Sequence, residues 1–412
     1  MKVLLVHPNF PGQYAHLLQR LAARPGTQVA GIGARAFAVP EGVDLRVYDP
    51  PPPLAETVPP RMRPSQAALA RGERAGRLAL DLRRDGFVPD VVLGHIGWGD
   101  TIYLKDIFPE APLLLYAEFF YSATGADVGH EPGRPSTMAD AFRIRAMNMP
   151  LLTSMAAADW GATPTRWQRD RFPEWFRTRV SLMHEGIDTG LCRPDPEARF
   201  ELPNGTVLRP GDEVVTYVAR GLEPYRGFPT FMRALPALLA ARPGVRVVIV
   251  GGDGASYGRP PEGAASWREA MLAEVGPLDS ARVHFLGRIP HPALHALFRV
   301  SAAHVYLTVP FVLSWSVLEA MACGALVVGS ATPPVQEVIE DGVNGVLTDL
   351  YDAPALARRL AEVLSDPARH APLRAAARRT VEKRFDLRRV CLPRQMAVVE
   401  ALAAGRRPLT YA

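Results

Sequence analysis

The chain has 412 residues, of which 48% are hydrophobic and 22% are charged, a balance typical of globular proteins. At this length we expect two domains with a cleft between them. A net charge of +5, from 47 basic and 42 acidic residues, is too small to indicate a nucleic-acid-binding protein. The binding of an anionic small molecule would be enough to explain it. No apolar run approaches the roughly 18 residues of a membrane-spanning helix, and no signal-peptide cleavage site follows the N-terminus, so we expect a cytoplasmic protein.

The three cysteines are Cys192, Cys323 and Cys391, and they lack the spacing of a CxxC pair or of a Cys/His metal motif. We therefore predict reduced thiols, no disulfide framework and no metal site. Lysine is also rare, and Lys383 is the only lysine in the second half of the chain.

Short β-branched runs alternate with helical patterns from the start of the chain, which is typical of βαβ units and parallel sheets. Between these runs, the proline-dense residues 50–64 are predicted to form an extended loop. The first series of predicted strands occupies residues 2–7, 28–33, 45–48, 90–95, 112–119, 160–162 and 180–184.

A segment rich in proline, glycine and charge, residues 191–212, separates this series from a second one and contains the hairpin-turn signal Asn204-Gly205. From residue 353 onward the helical periodicity continues almost unbroken. We therefore predict domains at residues 1–190 and 191–385, followed by a helical tail at 386–412 that returns to the first domain. The second series of predicted strands occupies residues 214–219, 246–251, 282–286, 303–308, 325–329 and 345–348.

In the second predicted domain, Glu319 lies on a short helix that precedes the apolar run 326–328. The carboxylate is either an ordinary exposed helix residue or a buried acid kept for a ligand. Ser314, Trp315 and Ser316 begin this helix, and its free backbone N–H groups would form an anion site at the strand ends.

Two arginines, Arg220 and Arg226, follow the first strand of the same domain in a loop that also contains Gly227. They are either surface residues or bidentate phosphate ligands at the crevice where the strand ends. Gly251 ends the next strand in a glycine pair, which alone is a weak signal for a ligand.

In order and spacing, these residues resemble family 4 glycosyltransferases. The resemblance covers residues 214–367 and is weaker in the first domain. It implies a GT-B fold, in which two Rossmann-like α/β domains face each other across a cleft and the C-terminal helix crosses back to the first. The motifs that carry it are Arg220 with Arg226-Gly227, the glycine pair 251–252, and the segments 285–287, 318–324, 335–339 and 341–345.

The family implies a nucleoside diphosphate sugar bound mainly by the second domain and a glycan, lipid-linked or small-molecule acceptor bound mainly by the first. It also implies retention at the anomeric carbon, no metal, no further cofactor and a role in cell-envelope polysaccharide biosynthesis. Glu319 takes the position of the glutamate that binds the ribose hydroxyls. Arg220 and Arg226 take those of the Arg and Lys that neutralise the diphosphate, and Gly251 with Ser314, Trp315 and Ser316 would complete the donor site.

One departure concerns the paired glutamates of the family, which are separated by seven residues. Counting back from Glu319 leads to Phe311, where the family has a glutamate that contacts the transferred sugar. Either backbone N–H groups of residues 311–314 replace those contacts, with a changed sugar preference, or catalysis has been lost.

In the first domain, Gly12 follows strand one at a helix start without the GxGxxG of a dinucleotide site, and it can approach a phosphate or sugar. His95 ends a strand and is either structural or, as the resemblance implies, directed at the donor sugar. Glu118 stands beside the aromatic residues 119–121, a pairing suited to sugar recognition or simply an edge cluster. Our candidate catalytic residues are Arg220, Arg226, His95 and Glu118.

Two rival functions remain: a nonhydrolysing nucleotide-sugar epimerase and a non-catalytic nucleotide-sugar-binding protein. A pyridoxal-dependent phosphorylase is disfavoured because its Schiff-base lysine would have to be Lys383, which lies in the C-terminal helical stretch that begins at residue 353. Four arginines on one predicted helix form either a solvated face or a contact with anionic lipids at the inner face of the membrane: Arg71, Arg74, Arg77 and Arg84. Oligomeric state, donor and acceptor stay open.

Overall fold

The computed structural model describes residues 1–254 and 256–411, which form two compact units. Unit 1 consists of Met1–Gly186 together with Leu387–Ala412, and unit 2 consists of Ile187–Asp386. Among the described residues, no helix is both long enough and apolar enough to cross a membrane.

Unit 1 is built on a parallel sheet whose strand order is β5-β3-β1-β6-β7-β8-β9. A small parallel pair, β2 with β4, lies beside it. The strands described in unit 1 are β1 (Lys2–Val6), β2 (Asn9–Phe10), β3 (Gln28–Gly33), β4 (Arg35–Ala36), β5 (Asp44–Val47), β6 (Val91–His95), β7 (Leu113–Tyr116), β8 (Trp160–Thr163) and β9 (Val180–Leu182).

Helices cover both faces of this sheet, which explains why its strands are apolar without alternation. On β1, Leu4 and Val6 belong to one buried layer, and Val3 and Leu5 belong to the other. The helices described in this part of unit 1 are α1 (Ala15–Ala22), α2 (Arg63–Arg84), α3 (Leu104–Ile107), α4 (Met138–Ala157), α5 (Arg166–Arg169) and α6 (Glu174–Arg177).

Unit 2 has a second parallel sheet, with the order β14-β13-β12-β15-β16-β17. The predicted turn at Asn204-Gly205 is confirmed, because Gly205 has φ +81° between the antiparallel strands β10 and β11. The strands described in unit 2 are β10 (Phe200–Glu201), β11 (Val207–Leu208), β12 (Val214–Gly221), β13 (Arg246–Gly252), β14 (Val283–Gly287), β15 (Ala303–Tyr306), β16 (Leu326–Ser330) and β17 (Val346–Thr348).

The helices of unit 2 connect these strands and extend beyond the last of them. Pro367, which interrupts the apolar periodicity that begins at residue 353, lies in the first turn of a helix, where the missing N–H costs nothing. The helices described in unit 2 are α7 (Phe228–Ala241), α8 (Trp267–Val275), α9 (His291–Val300), α10 (Trp315–Cys323), α11 (Pro333–Gln336), α12 (Ala353–Ser365) and α13 (Pro367–Arg384).

The last helix, α14 (Leu392–Ala403), belongs to unit 1. Its Val398 and Leu402 are buried in the same layer as Val3 and Leu5 of β1. Beyond the helix, the backbone N–H of Leu182 donates to the carbonyl of Thr410 at 2.7 Å, so the end of the chain is tied to the sheet.

Candidate functional site

In unit 1, polar side chains gather where three neighbouring parallel strands end. His7 directly follows β1, His95 ends β6, and Glu118 lies two residues after β7. Since carboxyl ends of parallel strands share one edge of the sheet, these residues meet. His95 Nε2 lies 3.6 Å from Glu118 Oε2, and the rings of His7 and His95 are 5.4 Å apart at their centroids. Gln13 Nε2 donates to Glu118 Oε1 at 3.2 Å.

Two backbone contacts set the orientation of these histidines. The N–H of Asn9 donates to His7 Nδ1 at 3.0 Å, and the N–H of Gly97 donates to His95 Nδ1 at 2.9 Å. In a neutral ring the proton of His95 is therefore on Nε2, the atom that faces Glu118. Burial, reinforced by His95, lowers the pKa of His7 to about 3, so this ring is neutral at pH 7.

Burial acts to raise the pKa of Glu118, but His95, His7 and Gln13 together outweigh it, and the pKa lies below its ordinary value. This group therefore pairs an ionised carboxylate with a buried imidazole N–H donor. The rings of Trp98 and Tyr116 lie against His95, with centroids 4.2 and 5.2 Å away, and restrict its rotation. Tyr116 in turn donates its hydroxyl hydrogen bond to Glu185.

Gly12 lies over the imidazole of His7. Its φ is +53°, and a Cβ there would stand 2.3 Å from His7 Cε1, so glycine is required both by conformation and by space. The predicted close approach at Gly12 is thus made to a side chain of the protein. Whether it also approaches a ligand remains a prediction.

In unit 2, Arg226 is buried at the carboxyl end of the sheet, whereas Arg220 is exposed at the end of β12. Nη1 of Arg226 donates to Thr308 Oγ1 at 2.9 Å, to the carbonyl of Val312 at 3.1 Å and to the Tyr306 hydroxyl at 3.3 Å. Arg226 therefore fixes the loop that leads from β15 into α10. Within residues 1–254 and 256–411 it has no ion pair with a carboxylate.

Phe311 lies in that loop and is buried. Its ring packs edge-on against Tyr257 and Tyr225, with centroid distances of 5.0 and 5.6 Å. The guanidinium of Arg226 lies over the ring of Tyr257 at 5.5 Å. An aromatic cluster of Tyr225, Tyr257 and Phe311, with a cation beside it, therefore takes the place where the family pattern has a carboxylate.

Glu223 was not predicted as a site residue. It is fully buried, and its carboxylate accepts hydrogen bonds from the backbone N–H groups of Ser256, Tyr257 and Gly258 at 2.7 to 3.2 Å. Glu223 thus holds the segment that supplies Tyr257 to the aromatic cluster. The sequence feature that could have identified Glu223 is its position as an acidic residue between the two arginines predicted to bind phosphate.

The structure shows the surroundings of Gly251 and Ser314, two of the residues predicted to bind the donor. A Cβ on Gly251 would stand 2.7 Å from Leu222 Cδ2, so tight packing already accounts for this glycine. Ser314 is the N-cap of α10, but its side chain makes no capping bond and its backbone N–H donates to the Tyr306 hydroxyl at 2.8 Å. Of the next two residues, Trp315 is exposed and Ser316 is half-buried.

Glu319 is buried in the middle of α10, and its Oε1 lies 3.5 Å from Nε2 of His295 on α9. The thiol of Cys192 lies 3.4 Å from the same nitrogen. The contacts with Cys192 and Glu319 raise the pKa of His295 to about 10. The proximity of Cys323, with burial, raises the pKa of the Cys192 thiol. Neither Cys192 nor His295 was predicted as a site residue.

Within unit 2 the structure thus brings Arg226, Phe311 and Ser314 together around Tyr306 and Tyr257. Glu319 contacts His295 on α9. Within unit 1 the structure brings His95 and Glu118 together. Gly12 joins this group through its contact with His7, whose ring lies against His95.

Comparison with known proteins shows the family of the chain. Residues 25–192 match the glycosyl transferase family 4 group, and residues 199–380 match the glycosyl transferases group 1. The chain belongs to the family 4 glycosyltransferases. The expected resemblance is confirmed, and the two matches together take in most of the chain.

This family 4 chain is 30% identical over 223 residues to a GDP-mannose-dependent alpha-(1-6)-phosphatidylinositol monomannoside mannosyltransferase of Mycolicibacterium smegmatis. The match covers 52% of this chain and 55% of the relative. The chain therefore spans about half the length of the curated relatives it matches.

Solved structures of low sequence identity establish the fold. The HepE protein of Anabaena in complex with UDP aligns with a TM-score of 0.65 and 18% identity, over 98% of this chain and 100% of that one. Sucrose-phosphate synthase from Thermosynechococcus elongatus aligns with a TM-score of 0.71 and 18% identity over the same shares. The predicted GT-B class of α/β fold, with its two Rossmann-like parallel-sheet domains, is confirmed.

Proposed function

We propose that the protein transfers a sugar from a nucleoside diphosphate sugar to a glycan, lipid-linked or small-molecule acceptor, with retention of the anomeric configuration. The observation that carries this proposal is the buried Arg226. A guanidinium out of water without an anionic partner is costly, and a bound diphosphate supplies the missing charge. The family of the chain and the UDP complex of HepE support the same chemistry.

In this mechanism, Arg226 and the more exposed Arg220 stabilise the diphosphate as it leaves. Charge grows on the leaving group in the transition state, and preorganised donors lower the barrier most where charge develops. The three acceptors of Nη1 keep the guanidinium of Arg226 in one position, so little reorganisation is needed. Glu319 accepts hydrogen bonds from the ribose hydroxyls, and a donor phosphate oxygen receives the proton of the acceptor hydroxyl.

In unit 1, His95 presents its Nε2–H as a hydrogen-bond donor to a sugar hydroxyl. The ionised Glu118 next to it favours that orientation and accepts a second hydroxyl proton. Trp98 and Tyr116 hold the imidazole in place, so the donor is fixed before substrate binds.

The function is tested by a thermal-shift screen over UDP- and GDP-sugars, followed by donor consumption with and without acceptor. A ligand at 100 times its dissociation constant adds about 2.7 kcal/mol of stability, which is readily seen as a higher melting temperature. Acceptor-dependent consumption supports transfer. Interconversion of the donor alone would instead indicate the epimerase, and stabilisation without any turnover would indicate the non-catalytic binder.

The role of Arg226 is tested by Arg226→Ala beside Arg226→Lys, which restores the residue usual in the family. We expect turnover to fall about 100-fold or more in Arg226→Ala, as for loss of a preorganised donor to a developing anion, with a smaller effect on donor affinity. Arg226→Lys should recover part of the turnover. An unchanged turnover with only a raised KM would remove Arg226 from the leaving-group role.

We further propose that α4 contacts a membrane surface from the cytoplasmic side when the acceptor is lipid-linked. Met138, Phe142, Met149 and Leu152 are exposed and share one face of this helix with the exposed Arg145. The expected basic face of α2 is a weaker candidate, because its Arg71 and Arg74 are half-buried. Both arginines interact electrostatically with Tyr48, and Arg71 also interacts with Asp100.

Cosedimentation with anionic and with neutral vesicles tests this contact. The double variant Met138→Ser with Phe142→Ser should lose binding to anionic vesicles, whereas Trp175→Ser, which removes an exposed aromatic residue outside α4, should keep it. Equal binding of both variants would exclude α4 as the contact.

A further inference from the structure

Three side chains of the types that bind transition metals meet in unit 2. Cys192 lies near the start of the unit, His295 in the middle of α9, and Glu319 in the middle of α10. Their ligand atoms, Sγ, Nε2 and a carboxylate oxygen, all lie within 4.8 Å of one another. Cys192 and Glu319 are buried and His295 is half-buried, so the group is largely removed from water.

The contacts within this group converge on one atom. Both Cys192 Sγ, at 3.4 Å, and Glu319 Oε1, at 3.5 Å, approach the same nitrogen of His295. An imidazole nitrogen carries at most one hydrogen, which cannot point well at two acceptors at once. A chain of thiol, imidazole and carboxylate arranged for proton transfer would instead use both ring nitrogens.

Two of the three distances between ligand atoms fit ligands around a common centre. Zinc bonds of about 2.0–2.1 Å to nitrogen, 2.3 Å to sulfur and 2.0–2.2 Å to oxygen, at tetrahedral angles, place neighbouring ligand atoms roughly 3.3–3.6 Å apart. The two separations at His295 fall in this range. A thiolate and a carboxylate would also balance the charge of a divalent cation.

We propose that Cys192, His295 and Glu319 bind a zinc-like divalent cation as three of its ligands. Sulfur and imidazole donors favour zinc or cobalt and disfavour magnesium and calcium, which prefer oxygen ligands. The sequence predicted no metal site because these residues follow no short ligand motif. Only the fold brings the start of unit 2 to α9 and α10.

The site shares Glu319 with the proposed donor site, and a cation held by Oε1 would leave Oε2 for the ribose hydroxyls. The contact with His295 is made by one carboxylate oxygen, Oε1. A bound cation would tie three segments of unit 2 together and should raise its melting temperature, because it binds the folded state and not the unfolded chain.

The test uses the full chain, stripped of metal with a chelator and kept reduced with a non-thiol reductant. Zinc is titrated against a chromophoric chelator, and cobalt is added separately as a spectroscopic probe. We expect one zinc per chain and a cobalt spectrum with tetrahedral visible bands and a near-ultraviolet thiolate charge-transfer band. Neither measurement requires a nucleotide sugar, so failure here leaves the transferase proposal standing, and failure of transfer leaves this one standing.

Variants assign the ligands. Cys192→Ser and His295→Ala should weaken zinc binding by at least about 100-fold, since loss even of an outer hydrogen-bond partner costs 10–100-fold. Two matched controls should bind as the wild type does: Cys391→Ser, a buried cysteine of unit 1, and His291→Ala, one turn before His295 on α9.

The proposal is overturned if the wild type binds no zinc, if its cobalt spectrum lacks the thiolate band, or if Cys192→Ser and His295→Ala bind like the controls. Circular dichroism of each variant shows whether it is folded. The cobalt spectrum of the wild type decides the matter even if both ligand variants unfold.

Discussion

Phe311 replaces the sugar-contacting glutamate of the family, and its ring is buried against Tyr225 and Tyr257. We predict that Phe311→Glu loses donor consumption, because a carboxylate among these rings costs about 3 kcal/mol unless Arg226 can reach it. Phe311→Leu keeps the site apolar and should retain the fold. Donor consumption by the three proteins is the measurement. An inactive wild type beside an active Phe311→Glu would mean that this branch binds nucleotide sugar without using it.

Glu319→Gln should weaken binding of the nucleoside diphosphate alone. The amide offers one neutral acceptor where the carboxylate offers two charged oxygens, which costs about 1.5–3 kcal/mol for hydrogen bonds to a charged group. Calorimetric titration measures the loss, with Glu201→Gln, an exposed residue of unit 2, as the control. Equal affinity in wild type and Glu319→Gln would leave Glu319 without a ribose contact.

Among single residues, the sequence predicted those at or just beyond the ends of strands and missed those positioned by packing. His95 and Glu118 were recognisable because each comes at the end of a short apolar run. Trp98 and Tyr257 were not, since an aromatic residue that lies against a site looks the same in sequence as one in any core. The pairing of Cys192 with His295 depends on contacts across more than 100 residues of chain, which no local pattern encodes.

Among the elements, the segment after β13 is anchored by one side chain. We predict that Glu223→Gln loosens residues 256–258 and costs about 1–3 kcal/mol, because an amide oxygen replaces two carboxylate oxygens that accept from three backbone N–H groups. Hydrogen exchange at residues 256–258 should accelerate at least several-fold. Glu269→Gln, at the start of α8, is the control, and unchanged exchange in Glu223→Gln would show that the segment does not need this anchor.

The strands of both sheets could be predicted because a parallel strand covered on both faces is a continuous apolar run. All of the predicted runs became strands, from β1 to β17. The strands that were missed, β2, β4, β10 and β11, have two residues each, too few for a periodic pattern. Their positions depend on the neighbour they pair with.

For the whole molecule, buried neutral histidines predict a loss of stability in acid. Burial lowers the pKa of His304 to about 3, whereas the unfolded chain has a pKa near 6.5. The unfolded state therefore binds more protons as the pH falls below about 6.5, and the stabilisation present above that pH declines toward pH 3. Between pH 7 and pH 5 this histidine accounts for about 2 kcal/mol.

Urea unfolding of wild type and His304→Leu at both pH values measures this contribution. Leucine removes the titrating ring, and Thr216 keeps its hydrogen bond to Ser301 at 2.8 Å. The difference in unfolding free energy between the two proteins should shift by about 2 kcal/mol in favour of His304→Leu as the pH falls. A constant difference would show that His304 does not titrate over this range.

The division of unit 1 between the two ends of the chain sets the order in which the molecule can fold during synthesis. Unit 2 is one continuous stretch and can fold once it has left the ribosome. The layer formed by Val3 and Leu5 lacks Val398 and Leu402 until α14 has been made. At 5–20 residues per second, the roughly 200 residues of unit 2 impose a delay on the order of 10–40 s. During that time the first-made strands expose apolar surface to chaperones, and the last-made helix covers it.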